Sequence, residues 1–220
     1  MTELLDIDLD FAVVGTAGAV PRPPQRTCPR AAAILTDLIS LPAAHRWLMD
    51  EHVHALTVWW QLGVRNARCW HVDAHHDLYG STDVSAWRMP CVKSSLAPAP
   101  RSTSATYLLR AWRVGVVREV VWVIPDWLPM EAAQDDLRRE MGSDTSFVRI
   151  VRGSNTMVPA PAITTIAWST RWLSPHLHDE VAKDLPREAL AALVGGTPLV
   201  AWPPYTTLSG VGPPDGDTRP

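Results

Sequence analysis

Two stretches of this chain concentrate side chains capable of chemistry. His71-Val-Asp73-Ala-His75-His76-Asp77 holds two carboxylates and three imidazoles within seven residues. Leu4-Leu5-Asp6-Ile7-Asp8-Leu9-Asp10-Phe11 places a carboxylate at every second position. Oxygen donors favour Mn or Mg, and imidazole adds Mn, Fe, Co, Ni or Zn, so the mixture suits a hard-to-borderline divalent ion. Burying so many ionisable groups in one turn is costly without a ligand. Three acids along one strand face repel one another unless a cation or base lies among them. His52, on the apolar stripe of a helical stretch upstream, is a further ligand candidate. With Asp6, Asp8, Asp10, Asp73, His75 and Asp77 it approaches the complement that two divalent ions need. Two ions roughly 3.5–4 Å apart hold a bridging hydroxide that is nucleophilic at neutral pH. A guanidinium, amidine or amide carbon is a fitting target. A positioned acid must then return a proton to the leaving amine. His71, His76 and His54 are candidates for that role, and Asp77 counts both as ligand and as catalytic group.

These residues need elements to hold them. Strict alternation over Leu4–Phe11 predicts a strand with Asp6, Asp8 and Asp10 on one face. The run from Asn66 to Asp73 predicts a second strand, with His71, Asp73 and His75 sharing a side and Asp77 where the strand ends. A near-continuous apolar run, Glu119-Val-Val-Trp-Val-Ile124, has the pattern of a strand buried on both faces of a parallel sheet. Further strands are expected over Ser146–Val151, Ile163–Trp168 and Pro198–Trp202. Helices are expected over 31–39, Ala43–Gly63 (with Gly63 as C-cap), Ser104–Val114 capped by Ser102 or Ser104, Met130–Met141, and Ser174 to about Val194 with a break at Pro186. Residues 15–30 and 78–103 read as long loops. Strands alternating with helices predict an α/β three-layer sandwich with a mainly parallel sheet. In such sheets ligands gather at the carboxyl ends of the strands, where both acidic clusters fall.

The bulk numbers narrow the function. With 220 residues and 46% hydrophobic content, the chain suits one domain over 1–202, followed by a Pro/Gly-rich tail over 203–220. A net charge of -3 gives no electrostatic case for nucleic acid or an anionic membrane. No apolar run is long enough to span a bilayer, and the acidic N-terminal residues do not form a signal peptide. Three unpaired cysteines, Cys28, Cys69 and Cys91, point to a reducing cytoplasm. No Gly-rich phosphate loop and no Ser-centred nucleophile elbow is present. Eleven tryptophans stand out. Trp59, Trp87 and Trp168 are candidates to line a peptide groove, whereas Trp122 reads as core.

Asp73-Ala-His75-His76-Asp77 resembles the Asp-Ala-His-x-Asp motif of the ureohydrolase superfamily, the arginases and agmatinases, and Asp6-Ile7-Asp8 resembles its Asp-x-Asp motif. The resemblance is closer to the branch that includes peptide arginases of ribosomal-peptide biosynthesis. It is carried by Leu5–Phe11, by Glu51-His52-Val-His54-Ala-Leu56, by His71–Leu78, and by Tyr107–Trp112 running into Val121-Trp-Val-Ile-Pro-Asp126. It covers roughly residues 3 to 180. The resemblance implies an arginase-like fold, two Mn2+ ions and hydrolysis of arginine side chains in a precursor peptide to ornithine and urea. It also implies His52, Asp73, His75, Asp77 and two of Asp6, Asp8 and Asp10 as ligands, with Asp8 and Asp10 favoured. The Asp-x-Asp stretch precedes the Asp-Ala-His-x-Asp stretch here, the reverse of arginases. Around Ser169–Pro175 that branch tends to show Ser-Pro-Glu, and here the acid is absent. An acid gripping the guanidinium is therefore sought in Glu51, Asp83 or Asp126. The alternatives are a ureohydrolase of free arginine or agmatine, a one-zinc amide hydrolase of the same fold, and a degenerate peptide-binding module.

Overall fold

The computed structural model describes residues 1–15, 25–79, 105–142, 144–168, 173–187, 190–191 and 199–201. The expected tail, Asp83, Trp87, Cys91, the Ser102 and Ser104 caps and residues 169–172 lie outside them.

The strands are β1 (Glu3–Asp8), β2 (Val13–Val14), β3 (Arg26–Thr27), β4 (His45–Met49), β5 (Ala67–Val72), β6 (Val117–Ile124), β7 (Val148–Arg152), β8 (Ile163–Ala167) and β9 (Leu199–Ala201). The helices are α1 (Pro29–Ile39), α2 (Val53–Gln61), α3 (Tyr107–Arg113), α4 (Met130–Met141) and the single turn α5 (His178–Val181). Seven strands form one sheet in the order β7-β6-β5-β1-β8-β4-β9. Every pairing in it is parallel except β4 with β9. The β2–β3 pair is a separate two-stranded ribbon.

Both faces of the sheet are covered, which is why its strands read as apolar runs. On one face Leu4, Cys69, Val120, Trp122 and Ile124 cluster with buried residues of α2, α3 and α4. On the other, Leu5, Ile7, Val72, Val121 and Val123 cluster with Ala31, Leu35, Leu38 and Ile39 of α1 and with Val181 of α5. Alternation along β1 thus sends Asp6 and Asp8 to the Leu4 face, the side of α2 and α3. No helix among the described residues is long and apolar enough to cross a membrane.

Three expected elements differ. Residues 43–63 are not one helix: β4 occupies His45–Met49, and α2 begins only at Val53, closing at Leu62 with Gly63 in the left-handed region at φ 70°. The strand wins because Arg46 and Leu48 sit buried between β8 and β9, where the sheet supplies the backbone partners. β1 stops at Asp8, and Leu9–Ala12 turns away as a 3-10 helix whose entry is capped by the Asp8 carboxylate accepting from the Asp10 N–H at 2.9 Å. The expected helix from Ser174 is a 3-10 turn over Pro175–Leu177 followed by α5, and turns occupy residues 182–185, ahead of Pro186.

Candidate metal centre

β1 and β5 lie side by side, with Asp6 opposite His71 and Ile7 opposite Val72. The two acidic stretches therefore meet at the same carboxyl-terminal edge, stacked in two layers. Asp6 and His71 form the lower layer, within the strands. Asp8, Asp10, Asp73, His75 and Asp77 lie above it, where the strands give way to turns. His52 enters from the turn preceding α2, where it is the N-cap residue and not a mid-helix position.

Two donor sets share Asp73, and the first reaches down to His71 of the lower layer. His52, His71, Asp73 and Asp77 each offer an atom within 4.8 Å of the others, and so do Asp10, Asp73 and His75. In the first set, His52 Nδ1 lies 3.0 Å from Asp77 Oδ2 and 3.5 Å from Asp73 Oδ2. In the second, His75 Nδ1 lies 3.2 Å from Asp10 Oδ2 and 3.3 Å from Asp73 Oδ1. The two oxygens of Asp73 thus face different sets. Asp8 Oδ2 stands 3.8 Å from His52 Nδ1, while Asp8 Oδ1 caps Asp10, so Asp8 flanks both. An ion with bonds of about 2.1 Å spaces its neighbouring donors by roughly 3 to 3.5 Å, so the donor types and separations fit a divalent metal in each set. The backbone is shaped to the task. The His75 N–H donates to Asp73 Oδ1 at 2.8 Å, and Asp77 adopts φ 50°, a left-handed conformation that Asp tolerates and that turns its carboxylate back onto His52.

Asp6 sits apart from both sets. Its carboxylate accepts from the Tyr107 hydroxyl and the Thr165 hydroxyl, and lies 3.3 Å from His71 Nδ1. All four side chains are buried. Of the three acids in the alternating row, Asp10 belongs to a donor set, Asp8 lies beside His52 at 3.8 Å, and Asp6 lies beneath. Asp10 arrives by the 3-10 turn and not along the strand.

Crowding of charge dominates the electrostatics. Burial alone would lower the His52 imidazolium, but Asp6, Asp8, Asp77 and Asp73 outweigh it and hold it well above the ordinary histidine range. His75 is likewise raised, burial being overcome chiefly by Asp10 and Asp73. Burial, with Asp10 and Asp73 alongside, pushes Asp8 well above the carboxylate range. Asp10 is pushed up to about 6 by burial and by Asp73.

The other expected site residues fall elsewhere. His76, the variable residue of the motif, faces α4: its ring lies 4.2 Å from that of Tyr79, its Nδ1 accepts from the Leu78 N–H, and its Nε2 is 3.5 Å from Asp136. His71 is wholly buried, with Nδ1 at Asp6 and Nε2 3.1 Å from the His75 carbonyl oxygen. Both rings are buried and turned to protein partners. His54, the third proton-donor candidate, is only slightly exposed and pairs with Asp50 at 3.1 Å. Trp59 is fully buried against Tyr107, so it is core and lines no groove. Trp122 is core as expected, and its indole N–H donates to the Asp73 carbonyl at 3.0 Å. Asp126 is held by Arg30 at 2.9 Å and by Ser154. Glu51 is half-buried and adjoins His52.

No family model matches this chain, and no curated protein and no solved structure shows significant similarity to it. The centre is therefore described by its own geometry. That geometry includes two side chains that sequence reasoning did not single out, Tyr107 and Thr165. They sit 101 and 159 residues from the Asp6 they serve. One faint signal existed: both are polar groups within apolar segments of a buried sheet and its helix.

Proposed function

We propose that this protein is a two-metal hydrolase of the arginase type, cleaving arginine guanidinium groups in a ribosomally made precursor peptide to give ornithine and urea. The observation that carries the reading is the sharing of Asp73, whose two oxygens face two adjacent donor sets at 3.3–3.5 Å from their imidazoles. His52 and Asp77 would hold one ion and Asp10 and His75 the other, with Asp73 shared between the sets and Asp8 alongside. Four carboxylates with two imidazoles favour manganese over softer metals. When bound, the two ions supply Lewis-acid polarisation and a water acidic enough to act as nucleophile at neutral pH.

The chain's own residues do the rest. The buried carboxylates fix the site's charge, and Asp77, turned by its left-handed backbone, presents its carboxylate beside His52, where it would help hold an ion. His75 is the most exposed of the imidazoles in the two sets, at 12%, so substrate approaches from its side. Of the described acids considered for the guanidinium, Glu51 adjoins the candidate ligand His52 in sequence, and the role is assigned to it on that ground. The two-sided parallel sheet suits an arginase-like sandwich, with the Asp-x-Asp strand next to the Asp-Ala-His-x-Asp strand despite their reversed order. Free thiols at Cys28 and Cys69 suit a reducing cytoplasm. The choice of peptide-borne over free arginine rests on the sequence resemblance.

The test is urea release with mass spectrometry, using Mn-loaded protein with an arginine-rich precursor peptide and, separately, with free arginine. Urea and arginine-to-ornithine mass changes on the peptide alone are the expected result. Urea from free arginine would reassign the protein to small-molecule metabolism. No urea from either, with metal bound, would refute ureohydrolase chemistry and favour the amide-hydrolase or peptide-binding alternatives.

A further inference from the structure

We infer that Asp6 and His71 form a buried positioning pair beneath the centre, orienting Asp73 and His75 without ligating metal themselves. The inference rests on the two-metal reading of the upper layer and adds to it the device that sets the relative placement of the two donor sets.

The hydrogen-bond accounting around Asp6 leaves it little else to do. One oxygen accepts from Thr165, and the other from Tyr107 and His71. A carboxylate with three internal donors and no exposure is already satisfied. His71 is bracketed by acceptors. Its Nδ1 faces the Asp6 carboxylate at 3.3 Å, and its Nε2 faces the His75 carbonyl oxygen at 3.1 Å and Asp73 Oδ2 at 3.3 Å. A backbone carbonyl only accepts, so the Nε2 turned to it donates its hydrogen, whereas the carboxylates facing His52 Nδ1 and His75 Nδ1 can share an ion with those nitrogens. His71 therefore touches the shared carboxylate on its first-set oxygen and the backbone of the second set's imidazole residue. No other side chain among the described residues does both. Tyr107 strengthens the arrangement, with its hydroxyl 3.2 Å from His71 Nδ1 and 3.5 Å from His52 Nδ1.

Charge supports the same division. The four carboxylates of the upper layer, Asp8, Asp10, Asp73 and Asp77, balance two divalent ions. Asp6 lies outside that count, its oxygens being taken up by Thr165, Tyr107 and His71. A metal-binding residue is commonly held by a hydrogen-bonded partner behind it, and loss of such a partner costs about 10- to 100-fold in metal affinity.

The test uses the full chain and Mn2+ as the probe. The double variant Asp6→Asn/His71→Gln removes both charges together, because removing one alone strands a buried charge. Titration calorimetry reads the two affinities. Pulsed electron paramagnetic resonance counts coordinated imidazole nitrogens and reads the magnetic coupling between the ions. The expected result is two coordinated imidazoles in the parent and the variant, with Mn2+ affinity about 10- to 100-fold weaker and an altered coupling. If the double variant does not fold by circular dichroism, Tyr107→Phe replaces it: the parent still shows two imidazoles, and affinity falls several-fold. Three coordinated imidazoles in the parent would make His71 a ligand and overturn the inference. Unchanged affinity and coupling in the variant that folds would overturn it as well. If the parent binds no Mn2+ at all, the centre itself is refuted, an outcome distinct from binding that the variants leave untouched.

Discussion

Loading the metal-free protein with Mn2+ should expel protons, and their number follows from the site. Ligating imidazoles must be neutral and ligating carboxylates charged. Near neutral pH, His52 and His75 each carry a proton in the metal-free cluster, because the surrounding aspartates raise both above the ordinary range despite burial. Asp8, raised by burial and by Asp10, adds part or all of a third. Asp10, raised only to about 6, adds little at neutral pH. Asp73 adds none, because His71 and His75 overcome its burial and hold it well below the carboxylate range. The two imidazoles alone give an expected release of at least about two protons per chain, to which Asp8 and Asp77, both raised by burial, and a metal-held water add. The sign follows from the raised values. Below them protons compete with metal, so affinity falls as pH drops, and it climbs with pH until the imidazoles are free. Calorimetry in buffers of different ionisation enthalpy reads the proton count directly. Release of fewer than about one proton per chain at neutral pH, or an affinity that does not change with pH, would refute the assignment of His52 and His75 as ligands.

Three further outcomes are expected. Asp77→Asn and Asp10→Asn should each leave one tightly held ion, whereas Asp73→Asn should release both, as read by elemental analysis after dialysis; equal losses in all three would sink the shared-ligand geometry. His76 is held down to about 4, by burial first and by the neighbouring His71 and His75. The folded protein therefore refuses a proton that the unfolded chain accepts, and stability worth up to about 3 kcal/mol is lost as pH falls from about 6.5 toward 4. Replacing His76 by Gln should flatten that part of the melting profile, and identical profiles would count against the burial argument. Trp59→Ala should cost about 3–5 kcal/mol in denaturant unfolding through the cavity it leaves beside Tyr107, and a loss under about 1 kcal/mol would show that the site collapses to fill it.

What the sequence made legible was whatever repeats locally. The alternation of Leu4–Phe11 and the crowding of His71–Asp77 marked both halves of the centre, because strand period and charge density are properties of neighbouring residues. β4 stayed hidden. Leu48, His52, Ala55, Leu56 and Trp59 fit a helical stripe, and the polar Arg46 broke the strand alternation although it is buried, donating to the Leu41 carbonyl. The partner that makes β4 a strand, β8, lies more than a hundred residues downstream and leaves no local trace. The sorting of Asp6 from Asp8 and Asp10 was hidden for the same reason. It depends on Thr165 and Tyr107, and on a turn that ends β1 before Asp10. His76 looked like a proton donor because its neighbours are ligands, but on alternating sides of a turn its ring points the opposite way, to Asp136.

The place of β1 between β5 and β8 has a consequence for how the molecule is made. Synthesis delivers β1 before either neighbour, at roughly 5–20 residues per second. Its Asp8 and Asp10 wait for β5 and the turn that follows, and its Asp6 waits longer still, for Thr165 on β8. Until then the ribosome presents an acidic, apolar strand with both edges open. The residues of the two donor sets have all emerged by Asp77, whereas the support beneath them is complete only when Thr165 arrives on β8, so the donors precede the brace that holds them.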